Sequence, residues 1–324
     1  MTPDRPDSLN TDNQAIRRRV LTAVAGNRIP GLHFTGHFLG LEWREVTGNT
    51  ARMAMAEGPH CRDADGAVNL VALGVLADNV LATPTRTDAV PGARLATIHL
   101  QLRFTGAPVT GDLTAEARLL GRSEGTALRQ SLSAATISAN GKTVCHASGE
   151  FMPLDAPPGV TLAPLPWQRK VPPQIVPLDA GKLDPAELPI LEACDAALAK
   201  ASPQVSFIEH FWGGVPRRSA RGASNRVPIG PHIGNRVGHV QGGALLGLAA
   251  TSARAAAPAE MMLSNVSAWY ISPGRGEALS IRSRVLHAGR TIAVVRTEIK
   301  TLAGERVLET LSHHVARKRE HRNP

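Results

Sequence analysis

Aromatic residues are scarce. The chain has one tyrosine, four tryptophans and six phenylalanines in 324 residues. That argues against the base-stacking platforms of a single-strand nucleic-acid binder, and it leaves the core to Ala, Val, Leu and Ile. Cysteines are few and far apart, at Cys61, Cys145 and Cys194, with no Cys-x-x-Cys pair. Neither a zinc site nor a disulfide framework is signalled. No metal and no cofactor is expected, and a reducing, cytoplasmic setting is the simplest inference. No apolar run reaches the roughly 18 residues of a membrane span. The polar stretch Met1 to Asn13 lacks the apolar core of a signal peptide. Acidic residues are outnumbered, 27 against 36 Lys and Arg, for a net charge of +9. The basic residues are spread out, with short clusters at Arg17-Arg18-Arg19, Arg217-Arg218 and Arg317-Lys318-Arg319. No DNA- or RNA-binding motif accompanies them. They read first as solvated charge and second as a means of holding a phosphorylated small molecule; no nucleic-acid partner is expected.

What is present is periodicity. Residues 1–15 read as a disordered tail, and Ile16 to Val24 as a short helix stopped by Gly26. Leu39 to Met55 alternates apolar and polar residues around Thr47-Gly48-Asn49, the pattern of a hairpin. Ala67 to Leu81 is apolar on nearly every face and too long for an ordinary strand, so it reads as a buried helix ended by Pro84. The period then becomes two. Strands are expected at 95–104, 113–120, 128–138 and 143–151, the last pair joined by the hairpin signal Asn140-Gly141. Residues 153–189 are rich in proline and read as a linker.

After the linker the pattern returns. A helix is expected at 188–201, a strand pair at 205–212 and 219–227, a helix at 244–257, and strands at 262–271, 278–286, 292–302 and 306–316. The halves align at an offset of 172, with Gly66 on Gly238, Asn69 on Gln241, Leu73 on Leu245 and Leu76 on Leu248. A repeat of this kind marks a duplicated domain. The expected organisation is α+β, with domains at 16–152 and 190–317, the linker 153–189 between them and a basic tail at 318–324.

Two places carry chemistry. Gly234 to Gly243 is a polar, glycine-rich loop that runs into the second apolar helix. The first helical N–H groups have no intrahelical partner, and the helix dipole points its positive end there. A glycine lets a substrate approach that N–H, so Gly242 suits an oxyanion; an ordinary loop-to-helix turn is the plain alternative. The second place is Asp78. An ionised carboxylate inside an otherwise apolar helix is costly unless it is paired or functional. It is a candidate general base or nucleophile, or else an acid bonded to nearby backbone.

The unit of one long apolar helix and an antiparallel sheet resembles the hotdog fold. The loop Asn235-Arg236-Val237-Gly238-His239-Val240-Gln241-Gly242-Gly243 looks like the active-site loop of PaaI-type acyl-CoA thioesterases. The resemblance covers about 38–152 and 205–317. It implies a tandem (double) hotdog packed as an internal pseudo-dimer, with sites where one unit's central helix supplies a carboxylate and the other supplies the loop. Asn235, Gln241 and Gly242 then come from the second half, which has Ala250 where the carboxylate belongs. Asp78, and Thr97 on the following strand, come from the first half, which has Asp63 in place of the loop Asn and Leu70-Val71 in place of the glycines. The resemblance implies one complete composite site, with the reciprocal one dead. In it, Asp78 acts on water or on the thioester, the Gly242 N–H holds the carbonyl oxygen, and Gln241 and Asn235 position substrate or water. Thr97 holds the water, and His239 is structural. Amide hydrogen bonds within the loop and an ordinary strand threonine are the plain alternatives for Asn235, Gln241 and Thr97.

The implied substrate is an acyl-CoA, hydrolysed to free acid and coenzyme A. A non-catalytic acyl-CoA-binding or regulatory protein is the alternative. A hotdog hydratase or dehydratase would need an Asp and His pair in a characteristic loop, which this sequence lacks. Further association into homo-oligomers stays open.

Overall fold

The computed structural model describes residues 5–86, 94–123, 130–155, 159, 163–171 and 173–317. The first half runs α1 (Arg5–Asn27), α2 (Phe34–Leu39), β1 (Glu42–Val46), β2 (Thr50–Met55), α3 (Leu70–Ala82), β3 (Arg94–Phe104), β4 (Leu113–Arg122), β5 (Ser131–Ala139) and β6 (Lys142–Leu154). The second runs α4 (Leu188–Lys200), α5 (Phe207–Phe211), β7 (Arg217–Ser219), β8 (Gly222–Pro228), α6 (Gly242–Ala256), β9 (Met261–Tyr270), β10 (Ala278–Ala288), β11 (Ile292–Thr301) and β12 (Arg306–Ala316). The twelve strands form one sheet in the order β1-β2-β4-β5-β6-β3-β9-β12-β11-β10-β8-β7. The same connectivity is thus used twice, and the halves join where β3 pairs antiparallel with β9, Leu100 opposite Ala268.

The two central helices form because their residues can do little else. In α3 every residue from Leu70 to Ala82 except Asn79 is buried. Each fully buried Leu or Val contributes about 1.5–3 kcal/mol. Asn69 caps the start, its Oδ1 accepting from the Val71 N–H at 2.8 Å; Gln241 caps α6 in the same way through the Ala244 N–H, also at 2.8 Å. The helices cross backbone to backbone. A methyl group at Gly243 would run into the carbonyl of Gly74, and one at Gly247 into the backbone of Val71. Only glycine permits this approach, and it brings the start of α6 against the middle of α3.

Two expectations need correction. Residues 5–13 are not a disordered tail but the first turns of α1, which also runs past Gly26 to Asn27. The sequence there is polar and shows no apolar period; the helix is held further along, where Ile16, Val20, Ala23 and Val24 are buried. Residues 1–4 and the basic tail 318–324 lie outside the described residues, as do 128–129 of the expected fifth strand. The second correction is at 205–212, which is a helical turn rather than a strand. Ser206 and Glu209 form a reciprocal capping box, with the Ser206 N–H donating to Glu209 Oε2 at 2.8 Å, and the true hairpin is the short pair β7–β8.

With that correction the repeat extends further upstream. Phe34, His37, Phe38 and Gly40 recur as Phe207, His210, Phe211 and Gly213. Both glycines end their turns at positive φ, 64° and 66°. The two copies meet at the junction of the halves, with Phe38 and Phe211 rings 5.2 Å apart, Phe207 and Phe211 5.0 Å, and Phe38 and Trp212 5.7 Å. Four of the six phenylalanines are therefore spent at one place, where the halves must hold together.

The proline-rich segment touches both halves. Trp167 lies 5.1 Å from Trp43, and the Ala163 carbonyl accepts from Arg236 at 2.7 Å.

Candidate active site

Because α3 and α6 cross at their glycines, Asp78 faces the first turn of α6. Its Oδ2 accepts from Gln241 Nε2 at 2.6 Å and from the Gly243 N–H at 3.3 Å. Its Oδ1 accepts from Thr97 Oγ1 at 2.9 Å. Asp78 is 8% exposed. Burial raises its pKa above the ordinary carboxylate value, while the hydrogen bonds from Thr97 and Gly243 and the charge of Arg86 pull it back down. The dipole of α6 works with those bonds, since its positive end meets the anion.

Gly242 lies over this group. A Cβ there would stand 3.0 Å from Asp78 Oδ2 and 3.2 Å from Thr97 Oγ1, so a side chain would crowd both. Its carbonyl accepts from Tyr270 Oη at 2.7 Å, which fixes the peptide at the head of α6. Asn235 serves a different purpose. Its Oδ1 accepts from the Val237 and His239 N–H groups, each at 3.0 Å, and so folds the loop. Asn235 and His239 both line the cavity.

That cavity has a volume of about 360 Å³ and takes in Asp78, Thr97, Asn235, Gln241 and Gly242, from both halves of the chain. Its walls add Trp43, Phe151, Leu165 and Trp167. Sequence reasoning missed several polar members, among them Arg86, Arg94, Arg236 and Tyr270. Tyr270 is the chain's only tyrosine, which was the one signal available for it; burial raises its pKa well above the usual phenol value, with a further contribution from Asp78.

Residues 232–313 match the family model of the acyl-CoA thioesterase N-terminal domain. No curated protein matches the sequence. Among solved structures, a protein of Novosphingobium aromaticivorans DSM 12444 assigned as a thioesterase is 12% identical, with 85% of this chain and 98% of that one covered and a TM-score of 0.52. A protein of Lactobacillus plantarum assigned as an oleoyl thioesterase is 11% identical, with 85% and 98% covered and a TM-score of 0.51. A protein of Alicyclobacillus acidocaldarius described as having a hot dog fold is 10% identical, with 89% and 99% covered and a TM-score of 0.49.

The fold is a double hotdog. Its pseudo-symmetry makes the reciprocal position easy to find. The β-bridge between Gly234 and Val240 has its counterpart between Arg62 and Val68, the same residues less 172. There the carboxylate position is Ala250, buried among apolar neighbours. One turn further along α6, Arg254 reaches back and pairs with Asp63 Oδ2 at 2.9 Å. Asp63 Oδ1 accepts from Asn69 Nδ2 at 2.5 Å. The place that holds an acid and a polar loop on one side holds an ion pair between the two units on the other.

Proposed function

We propose that the chain hydrolyses an acyl-CoA thioester at one composite site between its two hotdog units. The observation that carries this reading is the cluster itself: Asp78 and Thr97 of the first unit with Gln241 and Gly243 of the second, at 2.6 to 3.3 Å. The thioesterase family match to 232–313, the half that supplies the loop, supports the same reaction. Within the thioesterases, the arrangement is the one expected of a PaaI-type site.

In this reading the thioester carbonyl oxygen lies at the Gly242 N–H, which takes no acceptor among the described residues. A water held by Asp78 with Thr97 and Gln241 attacks the carbonyl carbon, and the carboxylate takes its proton. Negative charge builds on the oxygen at the positive end of α6, where fixed donors stabilise it. Collapse expels the coenzyme A thiolate. Both Asp78 oxygens already accept hydrogen bonds, which dulls them as direct nucleophiles and favours the general-base route over a mixed anhydride. A raised pKa makes the carboxylate a stronger base.

The test is coenzyme A release from a panel of acyl-CoAs by wild type, Asp78→Asn and Ala250→Asp. Loss of a positioned base removes about 10²–10⁴-fold of rate, so Asp78→Asn should fall by that order while Ala250→Asp keeps near-wild-type turnover. No turnover of any thioester by wild type would sink the proposal. A greater loss in Ala250→Asp would place the live site in the wrong half.

A further inference from the structure

The cavity holds positive charge that the chemistry at Asp78 does not use. Arg86, beyond the end of α3, and Arg236, in the loop before α6, both line it, and Asp78 is the one carboxylate on its described wall. Asp78 is already engaged by Thr97, Gln241 and Gly243. Arg236 is anchored by its bond to the Ala163 carbonyl. Among the described residues, neither arginine makes an ion pair with a carboxylate, whereas Arg17, Arg28, Arg62 and Arg254 all do.

Two guanidinium groups in one cavity repel each other and lose hydration, which is unfavourable until an anion joins them. Burial lowers the Arg86 pKa to about 10, with a further lowering from Arg236; burial lowers that of Arg236 as well. His33, on the same wall, is held neutral chiefly by burial, and both arginines add to the effect. A planar guanidinium suits a carboxylate or a phosphate, which it can grip through two parallel bonds.

The position of this pair distinguishes the two anions. Arg86 lines the same cavity as Asp78, and its charge acts on that carboxylate. The phosphates of coenzyme A are separated from the thioester by the whole pantetheine arm. Arg94 and His239 also line the cavity, and with Arg275 they add basic charge that the phosphates can use. The anion beside Asp78 therefore belongs to the acyl side. The wall around it also includes Leu32, Ala82 and Leu165, which suit a short aliphatic spacer, and 360 Å³ is near the small end of ligand pockets.

We propose that Arg86 and Arg236 form an anion subsite for the acyl group, so that the preferred substrate is a thioester whose short acyl chain ends in a carboxylate. This rests on the thioesterase reading for turnover, but not for binding. The kinetic test compares glutaryl-CoA with its neutral counterpart valeryl-CoA in wild type, Arg86→Gln, Arg236→Gln and Arg236→Lys. A charge-assisted hydrogen bond is worth about 10–100-fold. Wild type should prefer glutaryl-CoA by about that factor in kcat/KM. Each Gln variant should lose that preference, read as the ratio of its two kcat/KM values; Arg236→Gln should keep its rate on valeryl-CoA, and Arg236→Lys should retain part of the preference. Equal losses on both thioesters would place the coenzyme A phosphates on these arginines and overturn the acyl assignment. Unchanged kinetics on both would overturn the subsite.

A binding arm separates this from failure of the hydrolase reading. Free glutarate should raise the thermal midpoint of wild type but not of a folded Arg236→Gln, whereas valerate should raise neither. If glutarate stabilises the protein but no thioester is turned over, the subsite stands and the hydrolase reading falls. If glutarate gives no more stabilisation than valerate, the subsite falls.

Discussion

Burial makes Asp78 hold its proton more tightly in the folded chain than in the unfolded one, and this has two measurable consequences. For an acid whose folded pKa lies above its ordinary 3.8, the folded state binds more protons between those two values. The stability penalty is absent below 3.8 and fully present above the folded pKa. Asn can satisfy every partner of Asp78: its Nδ2 donates to Thr97 Oγ1, and its Oδ1 accepts from Gln241 and the Gly243 N–H. At neutral pH, Asp78→Asn should therefore raise stability, by about 0.5–2 kcal/mol as active-site relief often does, while removing activity. Chemical denaturation at pH 7 checks this, and an equal or lower midpoint would show that the ionised group is not under strain. The rate on a thioester should climb with pH as Asp78 loses its proton, since the proposed mechanism uses the carboxylate as its base. Asp78 was legible in the sequence because it is the lone acid in an apolar run. Thr97, Gln241 and Gly242 were legible because the repeat supplied each half with what the other had lost. Arg86, Arg236 and Tyr270 were not, since the aim of a long side chain is set by tertiary packing rather than by its neighbours in sequence.

At the scale of elements, the helix pair α3–α6 defines two equivalent corners, and the chain treats them differently. One corner keeps a strained carboxylate; the other has an ion pair from Arg254 to the buried Asp63. Removing one partner of a buried pair costs up to roughly 3–5 kcal/mol, and the partial exposure of Arg254 reduces this to about a third. Arg254→Met should lower the denaturation midpoint accordingly and leave the catalytic rate at the opposite corner near that of wild type. A large fall in rate with unchanged stability would mean that this corner takes part in the chemistry. The central helices were readable because their length and uniform apolarity leave no alternative. The turn at 207–211 was not, since a short apolar run has no period that separates strand from helix. The recurrence of Phe34, His37, Phe38 and Gly40 at 207–213 was the signal that could have decided it, because a segment aligned with a helical turn ending in glycine should be read as one.

Across the whole molecule, the junction of the two units is buried and histidine-rich, and this sets its response to acid. His60 lies edge-on to Phe38 at 5.6 Å, and His232 lies 5.0 Å from Phe211. His37 Nε2, His60 Nε2 and His232 Nδ1 are buried with no hydrogen-bond partner among the described residues. Burial lowers the pKa to about 3 for His33 and His60 and to about 4 for His37 and His232. In the unfolded chain each histidine titrates near 6.5. Above that value both states are neutral and the histidines are neutral to stability. Below it the unfolded state takes up protons that the folded state refuses until pH 3–4, so stability falls on acidification. Each such proton is worth about 1.4 kcal/mol per pH unit, and four together give a steep slope below pH 6. Urea midpoints measured from pH 7.5 to 4.5 should be flat at the upper end and drop sharply at the lower. His60→Gln with His232→Gln should flatten the drop, even though the pair of changes lowers stability at pH 7.5, because glutamine cannot bind the proton. A midpoint that declines just as steeply in that double variant would assign the acid response to carboxylates instead, and the aromatic junction would then hold the units together without sensing pH.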